Sequence, residues 1–314
     1  MRRGSMKPSV RPFSIQRRRL LGAIGLSSLA GAITAACSPV ALLNGAAPSD
    51  TYLRTAGIAY GDLPRQRLDV YRPTAAVADA PTVVFFYGGA WRHGARGDYL
   101  FVGEALAALG CVAVLADYRL FPEARFPAFV EDGAAALRWA RDHAPEHGGN
   151  PRRLFVMGHS AGAHIALMLV TDERYLAAAG MQPRELAGAI GLAGPYDFLP
   201  FTSKRTAAIF DPPERWPQSQ PINFVSGKEP PVLLLTGNDD NIVDPGNSTR
   251  LAAKMRGLGG KVEVIRYPGE GHRSIIAALA APLRSRYRVQ DDVAAFIARQ
   301  ADALSRPGLA ASRS

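Results

Sequence analysis

From residue 54 the chain alternates short apolar runs with longer Ala- and Leu-rich stretches. Residues 82–87, Thr-Val-Val-Phe-Phe-Tyr, carry bulky or β-branched side chains at every position. A strand with one solvated face would alternate polar and apolar, so this run predicts a strand covered on both faces. Similar runs recur at 112–116, 154–157, 189–192, 232–236 and 261–266. Residues 58–60 and 66–71 flank Gly61-Asp62-Leu63-Pro64, which predicts an antiparallel hairpin at a sheet edge. Between the runs, Asp98 is a candidate N-cap for a helix that Gly110 stops. Residues 126–143, 161–171 and 247–258 predict further helices, and Val293, Phe296, Ile297, Ala301 and Leu304 mark one face of a last one. Such alternation predicts an α/β domain with a mostly parallel sheet and helices on both faces. Residues 197–229, rich in Pro, Phe and Trp, break the rhythm before the penultimate strand. A connection of that length predicts a lid-like insertion.

The net charge of +10 is unevenly spread: residues 1–36 hold seven basic side chains and no acid. The remainder carries 30 basic against 27 acidic side chains, which argues against a nucleic-acid surface on the folded body. The basic start, the weakly apolar run 20–36 and the small residues Ala35 and Ala36 follow the order of an export signal. Gln16-Arg17-Arg18-Arg19-Leu20-Leu21 resembles a twin-arginine motif, and Thr34-Ala35-Ala36-Cys37 resembles a bacterial lipoprotein cleavage box. The expectation is a signal over 1–36, a tether over 37–53, a catalytic domain over 54–305 and a tail over 306–314. Cys37 is the candidate lipidation site, and the expected location is the bacterial envelope or periplasm. With Cys37 and Cys111 alone there is no disulfide framework and no Cys/His metal spacing. Cys111 opens an apolar run and reads as a buried thiol.

The chemistry begins at Gly158-His159-Ser160-Ala161-Gly162, between a predicted strand and a predicted helix. G-x-S-x-G on a strand-turn-helix lifts the Ser160 hydroxyl clear of the sheet, and its glycines let the chain fold back. The Ala161 N–H then lies at a helix N-terminus, where negative charge is favoured. A serine hydroxyl needs a base, and the base needs an orienting acid, in the chain order Ser, acid, His. His159 and His164 lie beside the nucleophile, His143 and His147 at a helix end, and His93 before Ser160. His272, in a Gly-rich loop after the last strand, remains as the base. Asp239, Asp240 and Asp244 all follow the 232–236 strand, and spacing does not choose among them. Tyr87-Gly88-Gly89-Ala90-Trp91 after the first core strand is a candidate oxyanion loop, its glycines bringing backbone N–H groups close to a substrate.

These stretches, with Asp117-Tyr118-Arg119-Leu120-Phe121-Pro122-Glu123, Phe126-Pro127, Asp132 and Gly237-Asn238-Asp239-Asp240-Asn241-Ile242-Val243, resemble the α/β-hydrolase carboxylesterases. That group includes hormone-sensitive-lipase-like, acetyl-xylan- and feruloyl-esterase-like and kynurenine-formamidase-like enzymes. The resemblance spans about 54–300. It implies an α/β-hydrolase fold, Asp240 as the acid with Asp244 as runner-up, and oxyanion donors among Gly88, Gly89 and Ala90 with Ala161. Tyr87 stands where the group usually has a His that supports the loop. Tyr118, Arg119 and Asp132 read as a polar network bracing loop and helix. Trp91, Phe198, Phe201, Phe210 and Trp216 are candidates to line an acyl pocket. The implied activity is carboxylic ester hydrolysis of a small-molecule ester, with no cofactor, metal or nucleic acid. A formamidase or amidase shares the same chemistry, and a non-catalytic envelope binding protein is the reading from another class. Oligomeric state and acyl length are not legible.

Overall fold

The structure, a computed structural model, describes Met1 and residues 39–305. The expected signal, Cys37 and the 306–314 tail lie outside the described residues. The chain divides into a short unit, Met1–Leu42, and a body, Leu43–Ser314. The stretch expected to be a tether is ordered in part: helix α1 spans Pro39–Gly45 and the first strand already starts at Tyr52.

Eight strands form one sheet: β1 (Tyr52–Ala59), β2 (Arg67–Pro73), β3 (Ala80–Phe86), β4 (Val112–Ala116), β5 (Gly149–His159), β6 (Gly188–Leu192), β7 (Val232–Gly237) and β8 (Val262–Tyr267). Their spatial order is β1-β2-β4-β3-β5-β6-β7-β8. The predicted edge hairpin is β1–β2; β2 also pairs antiparallel with β4, and every later pair is parallel. β1 is longer than the sequence suggests because its side chains are mostly exposed and polar or small, so no apolar run marked it.

The helices are α2 (Leu100–Ala108), α3 (Ala128–His143), α4 (Ala161–Thr171), α5 (Glu173–Ala178), α6 (Lys204–Phe210), α7 (Gly246–Gly257), α8 (Ser274–Ala277) and α9 (Val289–Ser305). Successive strand residues face opposite sides. The Phe85 ring meets Tyr99, at the entry to α2, at 5.6 Å, while a Cβ on Gly133 in α3 would lie 3.4 Å from Phe86. Phe155 on β5 meets Phe296 of α9, and α3 packs its Gly133 against Ile165 and Leu169 of α4. Both sheet faces are therefore covered, which is why the central strands read as continuous apolar runs.

Two expectations are corrected. Asp98 does not cap α2; it sits in a 3-10 turn, Arg96–Tyr99, and accepts from the Ala95 N–H at 2.9 Å. The helix expected from 126 starts at Ala128, since a residue directly before a proline, here Phe126, is disfavoured in the helical region. The 197–229 insertion holds α6 and two 3-10 turns, Pro213–Ser219 and Pro221–Phe224. Cys111 is buried. The sheet order changes direction at β3, flanked by β4 on one side and β5 on the other. Crevices at the carboxyl ends of strands beside such a switch point are where ligands bind in open α/β sheets.

Candidate active site

The turn between β5 and α4 is built by close backbone approach. Ser160 stands at φ 54° and ψ −120°, a conformation L-residues rarely adopt. A Cβ on Gly158 would lie 2.2 Å from Gly162 O, and one on Gly162 would lie 2.0 Å from Phe86 O. Neither position admits a side chain. The Ser160 N–H donates to Leu192 O at 2.9 Å, tying the turn to β6.

Three side chains meet at this turn from three strand ends. His272 Nε2 is 2.8 Å from Ser160 Oγ, and His272 Nδ1 is 2.8 Å from Asp240 Oδ2. All three residues are buried. Asp240 Oδ1 accepts from the N–H groups of Ile242 and Val243, each at 2.9 Å. Burial by itself raises the Asp240 carboxyl, but the bonds from His272, Val243 and Ile242 outweigh it and hold it below the ordinary carboxylate range. A carboxylate only accepts, so Nδ1 carries the imidazole proton and Nε2 turns its lone pair to the serine.

The other acids are engaged elsewhere. Asp244 accepts from the Gly246 N–H at 2.8 Å and from Arg250 at 3.0 Å, and Asp239 is exposed. The neighbouring histidines are buried and bonded to backbone. His159 Nε2 is 2.9 Å from His272 O, and His164 Nε2 is 2.7 Å from Ser219 O. Burial pushes these imidazoles down to about 3 and about 4, so both are neutral.

The loop after β3 lies against the serine turn. A Cβ on Gly88 would be 2.9 Å from His159 Nδ1 and 3.0 Å from Ser160 Cβ. Gly89, Ala90 and Trp91 follow at φ 135°, 51° and 56°. Ala90 and Ala161 line the same cavity as Ser160. That cavity measures about 520 Å³. Trp91, Phe198 and Phe201 form part of its wall, and Asp197, Asp244 and Arg250 its polar rim. Phe210 and Trp216 are corrected: they pack behind the wall, Phe210 edge-on to Trp91 at 4.9 Å and Trp216 edge-on to Phe201 at 4.9 Å. Pro-rich turns in the insertion set which aromatics face inward, and aromatic content cannot reveal that.

Arg119 donates to Asp132 from its backbone N–H and its Nε at 2.8 and 2.9 Å, the bracing expected of that pair. A second polar network was not legible. Arg96 bridges buried Asp69, at 2.7 Å, and Asp117, and Arg54 reaches Asp69 at 2.6 Å. Arg65 joins it to Tyr87. These residues lie on three separate stretches, and no spacing between them signals contact.

The BD-FAE family profile matches residues 68–255. The chain is 29% identical over 250 residues to a probable isoprenylcysteine alpha-carbonyl methylesterase, ICMEL1, of Arabidopsis thaliana, covering 72% of this chain and 52% of that one. It is 29% identical over 241 residues to esterase LipC of Mycobacterium tuberculosis, covering 70% and 60%. The chain thus spans between about half and two thirds of the length of these relatives. Among solved structures it superposes on esterase B of Lactobacillus rhamnosis with a TM-score of 0.72 at 18% identity, covering 93% and 100%. The thermostable carboxylesterase EstE1, from a metagenomic library, gives 0.66 at 24%, covering 82% and 92%. The sheet order and these likenesses make the fold an α/β-hydrolase fold.

Proposed function

The chain belongs to the BD-FAE family, and from that premise we propose that it is a serine hydrolase cleaving carboxylic esters through an acyl-enzyme. The observation that carries this is the continuous pair of 2.8 Å contacts from Ser160 through His272 to Asp240. Ser160 Oγ attacks the ester carbonyl while His272 Nε2 takes its proton. Asp240 keeps the proton on Nδ1 and stabilises the imidazolium. The carbonyl oxygen becomes an oxyanion, and the N–H groups of Gly89, Ala90 and Ala161 face it. Gly88, packed against Ser160 at the start of the same loop, is the third candidate donor there. The tetrahedral adduct collapses, and His272 returns its proton to the leaving alkoxide, which departs as the alcohol. Water then adds to the acyl carbon by the same route, releasing the acid and restoring Ser160. The cavity wall of Trp91, Phe198 and Phe201 suits an apolar acyl group.

The test is turnover of p-nitrophenyl acetate and butyrate by purified protein. Ser160→Ala should lower kcat by roughly 10⁶, and Asp240→Asn by about 10⁴. Asp244→Asn, which disturbs an exposed pair with Arg250, should leave the rate within about two-fold. Unchanged turnover in Ser160→Ala overturns the reading. A larger loss in Asp244→Asn than in Asp240→Asn overturns the choice of acid.

The same proposal includes export by the signal over 1–36 to the cell envelope, with lipidation of Cys37 as the anchor. The support is the residue order there. Mass spectrometry of the mature N-terminus should find a lipidated Cys37, and an unprocessed Met1 would refute export processing.

A further inference from the structure

The loop that carries the oxyanion donors is tied down by a residue outside both motifs. Segment 87–94 doubles back so closely that a Cβ on Gly94 would lie 2.8 Å from the Tyr87 ring. Inside it, the N–H groups of Arg92 and His93 both donate to Gly89 O, at 3.0 and 3.1 Å. Its two ends meet at one guanidinium. Arg65, on the turn between β1 and β2, donates from Nη2 to Tyr87 Oη at 2.7 Å and to Gly94 O at 2.9 Å. Its Nε donates to Tyr118 O at 2.8 Å. Tyr87 Oη then donates to Asp117 Oδ1 at 3.0 Å, so both its hydrogen-bonding roles are filled. The Tyr87 ring is stacked on Tyr99 and Tyr118, with centroids 5.7 and 4.7 Å away. Between the two tied ends lie Gly89, Ala90 and Trp91, three consecutive residues at positive φ. Such conformations persist where the surroundings over-determine them.

We propose that Arg65 is a positioning residue for the oxyanion loop, closing the loop between Tyr87 and Gly94 and so setting Gly89 and Ala90 against Ser160. The proposal rests on the serine esterase reading above. Arg65 touches no reacting atom. Its side chain is 36% exposed on a hairpin turn, so removing it leaves the apolar core intact.

The experiment compares the full chain with Arg65→Met, Arg65→Lys and Tyr87→Phe on p-nitrophenyl butyrate. Arg65→Met should lower kcat by roughly 30-fold, less than the ~10²–10³ of losing an oxyanion donor outright. KM should stay within about two-fold, since the interaction acts in the transition state. Arg65→Lys keeps a single donor group and should lose about five-fold. A trifluoromethyl ketone, whose adduct with Ser160 carries an oxyanion, should bind more weakly by the same factor as kcat falls. A merely structural role would not move that affinity in step. The Arg65→Met/Tyr87→Phe double variant should lose less than the product of the two single losses, because both remove the bond between Arg65 and Tyr87.

Wild-type kcat and ketone affinity in Arg65→Met, with Ser160→Ala inactive, overturn the proposal and leave the esterase reading standing. Lowered kcat with unchanged ketone affinity also overturns it. Should Arg65→Met fail to fold, a joint fall of kcat and ketone affinity in Tyr87→Phe and Arg65→Lys supports the proposal, and wild-type values in both overturn it. A wild-type chain that neither turns over esters nor binds the ketone strikes the esterase reading itself.

Discussion

Two segments at the carboxyl edge of the sheet hold residues at positive φ, and they are held by different forces. At the serine turn the constraint is steric and local. Gly158 and Gly162 let two backbone strands approach to distances no Cβ tolerates, and the neutral His159 and His164 pack beside them. The loop after β3 has close approaches of its own at Gly89 and Gly94, but adds to them polar ties from distant residues. Arg65 reaches it from the hairpin turn and Asp117 from the end of β4, and Arg96 holds the Asp117 carboxylate from behind. Burial and the Asp117 carboxylate keep the Tyr87 hydroxyl protonated, its pKa far above the ordinary value. A steric turn is rigid whatever the solvent, whereas a charge-built one depends on every partner being present.

The largest expected effect on this contrast is Gly162→Ala. The new methyl must displace Phe86 O, 2.0 Å away, so the turn and β3 separate. Activity should fall by at least about 10²-fold, as for a misplacement near 1 Å, and the melting temperature should fall with it. The loop variants, by contrast, should lower kcat with little change in melting temperature. Measuring both quantities on both sets tests the distinction. A Gly162→Ala chain with wild-type melting temperature would remove it.

A smaller effect separates the two segments by pH. An unfolded imidazole titrates near 6.5, while folded His164 is held at about 4, chiefly by burial against a weaker raising bond from Ser219. Between those values the unfolded chain takes up a proton that the folded chain refuses, so stability falls as pH drops through that window. Its cost by pH 4.5 is of the order of 3 kcal/mol. Asp69 follows lower down. Burial raises its carboxyl, but Arg96, Gly57 and Arg54 outweigh that and hold it below the ordinary range. Its contribution is present above the unfolded carboxylate pKa of about 3.9 and is lost below it. Acid should therefore weaken the serine side before the loop side. Urea unfolding of the wild type and of His164→Gln at pH 7, 5.5 and 4.5 checks this. Equal slopes in the two proteins would remove His164 from the account.

Much of the site is visible in residue order. Ser160 is marked because its turn requires glycine at two neighbours and a strand and helix at its flanks. His272 follows by elimination among six histidines. Residue spacing leaves Asp239, Asp240 and Asp244 level; resemblance to the carboxylesterases chooses Asp240, and Asp240 is the one that reaches His272. β1 is marked only at its end, 58–60, because the rest is exposed and lacks an apolar run, and Asp98 misled because a 3-10 turn before α2 uses the same residue types as a helix cap. Phe210 and Trp216 belong to the aromatic cluster without touching the cavity, since aromatic composition carries no direction.

The sequence alone determined the alternating architecture, the nucleophile and its base, because apolar periodicity and glycine-only turns are local properties written in consecutive residues. Tertiary structure alone decided which aromatics face the cavity and how Arg65 and Asp117 converge on Tyr87 while Arg96 holds Asp117. Those contacts join residues 21 to 52 positions apart, and one long polar side chain can meet many partners. Only the packed backbone chooses among them.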